Sequence, residues 1–96
     1  MTAISILEKA GSFAENKDVA RGLRLHYISP ALKEGDGDVV LDFKGVSGAT
    51  QSFVHALISQ LIRKYGDELF TKLKFKNCND TIKEVINIVA DYMSES

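Results

Sequence analysis

The chain has 96 residues, which is the length of one domain and enough for a single hydrophobic core. Its 12 basic and 13 acidic residues give a formal net charge of −1, which argues against a dedicated nucleic-acid binder because such proteins carry a basic excess. Cys78 is the only cysteine, so no disulfide can form within the chain, and no apolar run approaches the roughly 18 residues that span a bilayer. The N-terminus lacks the basic and apolar regions of a signal peptide. We therefore expect one cytoplasmic domain over residues 1–96, without a membrane segment, a nucleic-acid site or a cofactor.

The first third of the chain predicts a strand and a helix. Ile4–Leu7 (ISIL) is a short β-branched and aliphatic run that favours a strand, and Asn16 is placed to cap the helix that follows. Within Lys17–Ala31 one set of apolar residues recurs every three or four positions, and a second set is offset from it. Pro30 lacks an amide donor and disfavours helical geometry at Ser29, so we expect the helix to kink or end there. The two sets are Val19, Ala20, Leu23, Tyr27 and Ala31, and then Leu25, Ile28 and Leu32.

The middle of the chain predicts a loop, a strand, a turn and a long helix. Lys33–Asp38 (KEGDGD) is charged and glycine-rich, as loops are. Val39–Phe43 (VVLDF) has one polar residue, which suits an interior strand covered on both faces. The turn Lys44–Gln51 leads into the helix Phe53–Tyr65, whose apolar stripe is the clearest in the sequence. The residues of that stripe are Phe53, Val54, Leu57, Ile58, Leu61, Ile62 and Tyr65.

The last third predicts a strand and a helix after a glycine stop at Gly66. Asp67–Thr71 is expected to be a short helical or turn segment. Lys72–Lys76 (KLKFK) alternates between lysines and apolar residues, which is typical of an edge strand with one solvent-exposed face. Residues 77–80 form a turn that offers helix caps. The stripe of the final helix is Ile82, Val85, Ile86, Val89, Tyr92 and Met93.

Strands and helices thus alternate in the order β-α-β-α-β-α. This alternation favours a single α/β domain with an open, mostly parallel or mixed sheet covered by helices. Three strands make a small sheet, so an extra strand from Leu69–Thr71 or from the N-terminus is allowed.

Few residues suggest catalysis or metal binding. His26 and His55 fall on different predicted helices without a ligand at metal-site spacing, and we expect Cys78 to be a small buried apolar residue at a strand–helix junction. Asp42, at the end of a strand, is expected to accept hydrogen bonds from the adjoining turn. Without a convergent acid–base or nucleophile set, we expect no enzyme and no metal site.

The turn before the long helix carries the remaining functional signal. The amides and the dipole at a helix N-terminus favour an added anion such as phosphate. Hydroxyls at Ser47, Thr50 and Ser52 could serve as helix caps or as phosphorylation sites, and caps are the commoner use.

The stretch VVLDFKGVSGATQSFVHAL, with KFKNCNDTIKEVINIV downstream, resembles the STAS-like family of small bacterial proteins and, more distantly, the STAS domains of anti-sigma-factor antagonists. In those domains a similar strand leads through a short turn into a helix that begins with Asp-Ser-Ser-Gly. Aligning the strands places Thr50 at the Asp, Gln51 at the phosphorylated first Ser, Ser52 at the second Ser and Phe53 at the Gly. Gln51 cannot accept a phosphate, so Ser52 keeps the only hydroxyl of that pair.

The resemblance implies a non-enzymatic regulatory module of signal transduction whose partner class is an ATP-binding, kinase-type regulator. We expect it to bind a protein partner through the Gly45–Ser52 turn and the following helix, as a monomer or weak homodimer. Ser52 is the candidate phosphoacceptor. The alternative is a small-ligand or nucleotide sensor that uses the same helix N-terminus as an anion site. The candidate contact residues are Gly45, Ser47, Gly48, Thr50, Gln51 and Ser52.

Overall fold

A three-stranded parallel sheet organises the computed structural model, which describes residues 2–35 and 37–94. The elements in chain order are β1 (Thr2–Ser5), α1 (Ile6–Ala10), β2 (Phe13–Ala14), α2 (Lys17–Leu23), a π-helical turn (Arg24–Ile28), α3 (Ser29–Glu34), β3 (Val39–Asp42), β4 (Gly48–Ala49), α4 (Gln51–Tyr65), a 3₁₀ turn (Gly66–Glu68), α5 (Leu69–Lys72), β5 (Leu73–Lys76) and α6 (Asp80–Ser94). The sheet order is β1-β3-β5, and the two-residue strands β2 and β4 form a separate parallel pair. The predicted small α/β fold is confirmed.

Helices cover one face of the sheet. Val39 and Leu41 of β3 are buried, whereas Val40 and Asp42, which point to the opposite face, are only half-buried. Both crossovers step in the same direction along the order β1-β3-β5, and right-handed crossovers of that kind place their helices on the same face. The expectation of a strand covered on both faces is therefore wrong for the described chain.

The N-terminal strand lies earlier than predicted. β1 ends at Ser5, and the side chain of Ser5 accepts a hydrogen bond from the Glu8 amide at 3.2 Å, so a short helix begins at Ile6. The predicted strand Ile4–Leu7 is thus half strand and half helix. The allowed extra strand does not join the described sheet: β2, in the N-terminal region, pairs with β4 in a separate sheet, and the Leu69–Thr71 alternative is helical.

The helical run 17–34 passes through Pro30 without stopping. The Asn16 side chain caps it as predicted. Ser29 donates its amide to the carbonyl of Arg24, five residues back, which is the wide π-type turn that accommodates a proline without a donor. The extra residue rotates the buried face, so Ile28 is buried while Tyr27 is exposed. Tyr27 was predicted on the buried face, and that placement is wrong.

The predicted loop Lys33–Asp38 begins later than expected. Lys33 and Glu34 are still helical, and Gly35 follows with a φ of +71° in the left-handed region. Asp36 lies outside the described residues.

The helix α4 forms the centre of the helical layer, because it packs against both α2 and α6. The apolar residues of its predicted stripe are buried, with Tyr65 half-buried, and the helix ends at Gly66 as expected. In α6 the side chain of Tyr92 is exposed, so its predicted place in the buried stripe is wrong. The edge strand β5 is confirmed, with Leu73 buried and its lysines exposed. No described helix is both long and apolar enough to cross a membrane.

Candidate functional site

Two neighbouring segments hold the predicted binding turn in place. The Ser47 amide donates to the Ser12 carbonyl at 2.7 Å, and the Thr50 amide donates to the Ala14 carbonyl at 3.0 Å. From the other side, the Asn79 side-chain amide donates to the Ser47 carbonyl at 2.9 Å. The turn follows the carboxyl end of the central strand β3. It is therefore a surface fixed by hydrogen bonds on both sides.

The hydroxyls of the turn have different roles. Thr50 Oγ1 accepts a hydrogen bond from the Phe53 amide at 3.1 Å, so Thr50 is the N-cap of α4. Ser47 Oγ donates to the Ser12 carbonyl at 2.9 Å, which stabilises the turn itself. Ser52 lies in the first turn of α4 with an exposed side chain. Of the three hydroxyl residues that were possible caps of α4, Thr50 is the one that caps it, and Ser47 and Ser52 do not.

Two exposed apolar side chains pack against the two glycines of the turn, where a Cβ would contact them. A Cβ on Gly45, which has a φ of +84°, would lie 2.7 Å from Leu7 Cδ2, and a Cβ on Gly48 would lie 2.9 Å from Phe13 Cε1. Leu7 is 40% exposed and Phe13 is 52% exposed. We call these four residues the turn patch. It combines apolar surface with a backbone held by hydrogen bonds.

Asp42 fastens the start of the turn to the loop before α6. Its Oδ1 accepts hydrogen bonds from the Asn77 side-chain amide and from the Lys44 backbone amide, both at 2.9 Å. The Asn77 bond, followed by the Lys44 bond, holds the pKa of Asp42 below its ordinary value. The structural role predicted for Asp42 is confirmed.

A second surface is a groove of about 650 Å³ over α4, between the helical run 17–34 and α6. Lys17, Arg21 and Arg24 line one side, and Arg24 Nη1 donates to the Ala56 carbonyl at 2.9 Å. The sequence offered a signal for this basic face, because these residues are spaced at i, i+4 and i+7, but the prediction missed it.

Four of the six predicted contact residues divide between the two surfaces. Gln51 and Ser52 line the groove, while Gly45 and Gly48 belong to the turn patch. Thr50 lies between them and caps the helix. The structure therefore does not gather all six residues into one site.

The residues considered for catalysis are dispersed. His55 lines the groove, whereas His26 and Cys78 lie outside it. Cys78 is half-buried, and burial raises the pKa of its thiol. Within residues 2–35 and 37–94, no group of three or more His, Cys, Asp or Glu side chains is placed to bind a metal ion.

Comparison with protein families gives a match over most of the chain. The model of a family described as "STAS-like domain of unknown function" (DUF4325) matches residues 20–83, about two thirds of the chain. The match extends from α2 to the start of α6 and contains the turn and all of α4. No significant match was found among curated proteins or solved structures. The resemblance predicted from the strand, turn and helix is thereby confirmed.

Proposed function

This chain belongs to the family of STAS-like domains, and from that premise we propose that it is a non-enzymatic regulatory module that binds a protein partner. The partner contacts the Gly45–Ser52 turn and the exposed flank of α4. The observation that carries the proposal is the turn patch, in which Leu7 and Phe13 remain exposed against a turn fixed by hydrogen bonds.

A fixed apolar surface suits protein binding for an energetic reason. Ordering a flexible loop and its side chains costs free energy when a complex forms, and a turn that is already ordered avoids much of this cost. Aromatic residues such as Phe13 are enriched in protein interfaces. The turn patch therefore offers contact area at a small entropic cost.

The polar groups near the turn support the non-enzymatic part of the proposal. Asp42, Ser47 and Thr50 are engaged in hydrogen bonds that shape the fold. The raised thiol pKa of Cys78 lowers its thiolate fraction and hence its reactivity. The proposal therefore gives these groups structural roles.

The family resemblance suggests an ATP-binding, kinase-type regulator as the partner. Ser52 is the phosphoacceptor that fits such a partner, because its side chain is exposed in the first turn of a 15-residue helix. A phosphate at that position is stabilised by the positive end of the helix dipole.

The test is native purification of the protein followed by mass spectrometry, with Gly48→Trp and Phe13→Ser as variants of the turn patch. We expect a stoichiometric protein partner with the wild type and its loss with both variants, while the far-UV circular dichroism stays native. Lys72→Glu, an exposed change outside the turn, is the control and should retain the partner. Retention of the partner by Gly48→Trp would refute the proposal.

A thermal-shift screen separates this function from the nucleotide sensor. A nucleotide that binds only the folded protein raises its Tm by mass action. A clear rise with ATP or GTP, and no partner in the purification, would favour the sensor instead.

A further inference from the structure

The groove over α4 has one basic side that no carboxylate in the groove neutralises. Lys17, Arg21 and Arg24 lie on the same face of the helical run, and no Asp or Glu is among the described residues that line the groove. Arg21 is paired with Asp18 at 3.3 Å, but both side chains are well exposed, and exposed pairs of this kind contribute little. The groove is therefore locally positive in a chain whose formal net charge is −1.

The opposite side of the groove is apolar. Ile88 and Tyr92 are four residues apart on α6, and they are 43% and 69% exposed. Residues at this spacing lie one above the other on a helix surface. They form a ridge that faces the basic side across α4.

The length of the groove matches a short piece of helix. Its floor extends from Gln51 to Gln60 on α4, and nine steps of 1.5 Å correspond to about 14 Å, or roughly two and a half helical turns. A helix that presents carboxylates on one side and apolar residues on the other would satisfy both sides of the groove. When a helix binds in a groove, its contact residues recur at positions i, i+3, i+4 and i+7.

We propose that this groove docks an acidic, amphipathic helical segment of the partner protein. The carboxylates of the segment pair with Lys17, Arg21 and Arg24, and its apolar residues cover Ile88 and Tyr92. This inference rests on the proposed function, because it names the chemistry of the segment that a bound partner would present. Charge complementarity selects the occupant, and the apolar ridge favours a protein segment over a nucleic acid.

The test uses a defined probe, a synthetic 14-residue helical peptide with glutamates on one side and leucines on the other. Titrated into the ¹⁵N-labelled protein, it should produce saturable chemical-shift changes at amides of the groove. A peptide of the same design with lysine in place of glutamate is the probe control. We expect no saturable binding of the lysine peptide.

Variants of the protein test each side of the groove separately. Lys17→Glu combined with Arg21→Glu should raise the Kd of the glutamate peptide at least tenfold, and Tyr92→Ser should also raise it. The double change Lys72→Glu and Lys74→Glu removes the same charge from outside the groove and should leave the Kd unchanged. A circular dichroism spectrum of each variant confirms the fold.

Four results would overturn the inference. The first is absence of saturable binding by the glutamate peptide, and the second is binding that the groove variants do not weaken. The third is saturation of the same amides by inorganic phosphate alone, which would identify a small-anion site. The fourth is tighter binding of a 20-base-pair DNA than of the peptide.

The design separates this inference from the function on which it rests. Gly48→Trp alters the turn patch and should leave the Kd of the glutamate peptide unchanged. If the natural partner is lost with Gly48→Trp while the peptide fails to bind, the groove inference falls and the proposed function stands. If the peptide binds the groove while Gly48→Trp retains the partner, the turn is not the binding surface.

Discussion

Thr50→Ala tests which hydroxyl begins the central helix. The Thr50 side chain accepts a hydrogen bond from the Phe53 amide at 3.1 Å, and alanine removes that acceptor. The backbone bonds of Thr50, from its amide to Ala14 and from the Val54 amide to its carbonyl, do not depend on the side chain. The substitution therefore isolates the loss of the cap.

The expected cost follows from the chemistry of helix caps. Replacing a capping threonine with alanine lowers the free energy of unfolding by about 1 kcal/mol, within a range of roughly 0.5–2 kcal/mol. In a domain of this size, about 1 kcal/mol lowers the Tm by about 4–8 °C. Thr50→Ser keeps the oxygen and should recover most of that loss.

The assay is urea unfolding followed by circular dichroism, with Ser52→Ala as the matched control. Ser52 is exposed in the first turn of α4 and does not cap it, so its replacement by alanine should change the free energy of unfolding by less than about 0.5 kcal/mol. If Ser52→Ala costs as much as Thr50→Ala, the assignment of the cap is wrong.

Three further predictions concern residues within and outside the turn. Gly45→Ala and Gly11→Ala should each lower the free energy of unfolding in urea, because both glycines have a φ of +84°, which L side chains rarely adopt; full stability of either variant would contradict this. Because the pKa of Asp42 is lower in the folded than in the unfolded protein, its carboxylate stabilises the fold at pH values above the unfolded pKa, and this stabilisation is lost as the pH falls through the folded pKa. The free energy of unfolding should therefore exceed that of Asp42→Asn most near pH 7, and the difference should shrink below about pH 4. A difference that grew in acid would contradict this. Cys78, whose thiol pKa burial raises, should react with iodoacetamide at pH 8 more slowly in the native protein than in urea-unfolded protein; an equal or faster native rate would contradict it.

The long helix and the central strand were predictable because their signals are long and consistent. The buried residues of α4 follow a helical stripe from Phe53 to Ile62, and β3 is a compact apolar run before a glycine-containing turn. Burial on one side of an element leaves such a pattern wherever packing dominates local propensity. The sequence of β3 does not reveal that helices cover only one face of the sheet, because Val40 is apolar although it is only half-buried.

The errors near the N-terminus come from short elements and competing signals. The aliphatic side chains of Ile6 and Leu7 favour a strand, but Ser5 and Glu8 have the spacing of a helix capping box. The Ser5 side chain does accept a hydrogen bond from the Glu8 amide. The pair β2–β4 has two residues on each strand, which is too few for any periodicity to show. Long-range pairing of that kind depends on the folded arrangement.

The π-helical turn shows how one backbone change moves several side chains at once. Periodicity alone places Tyr27 with Leu23 on the buried face, four residues apart. The wide turn before Pro30 adds one residue, so Ile28 takes the buried position and Tyr27 reaches the surface, where its hydroxyl lies 3.3 Å from Lys9 Nζ. Proline predicted a disturbance at the right place, but not a π-turn that continues the helix.

Ser52 connects the proposed phosphoacceptor with the proposed docking groove, because the same side chain lines the groove that Lys17, Arg21 and Arg24 make positive. A phosphate adds about two negative charges at pH 7. Placed there, it would neutralise the basic side and repel an acidic segment, so phosphorylation would weaken docking. With the glutamate peptide as probe, Ser52→Glu should raise the Kd by about fivefold, or about 1 kcal/mol, through the loss of charge pairing. Ser52→Ala should leave the Kd unchanged, and tighter binding by Ser52→Glu would show that the groove does not select its partner by charge.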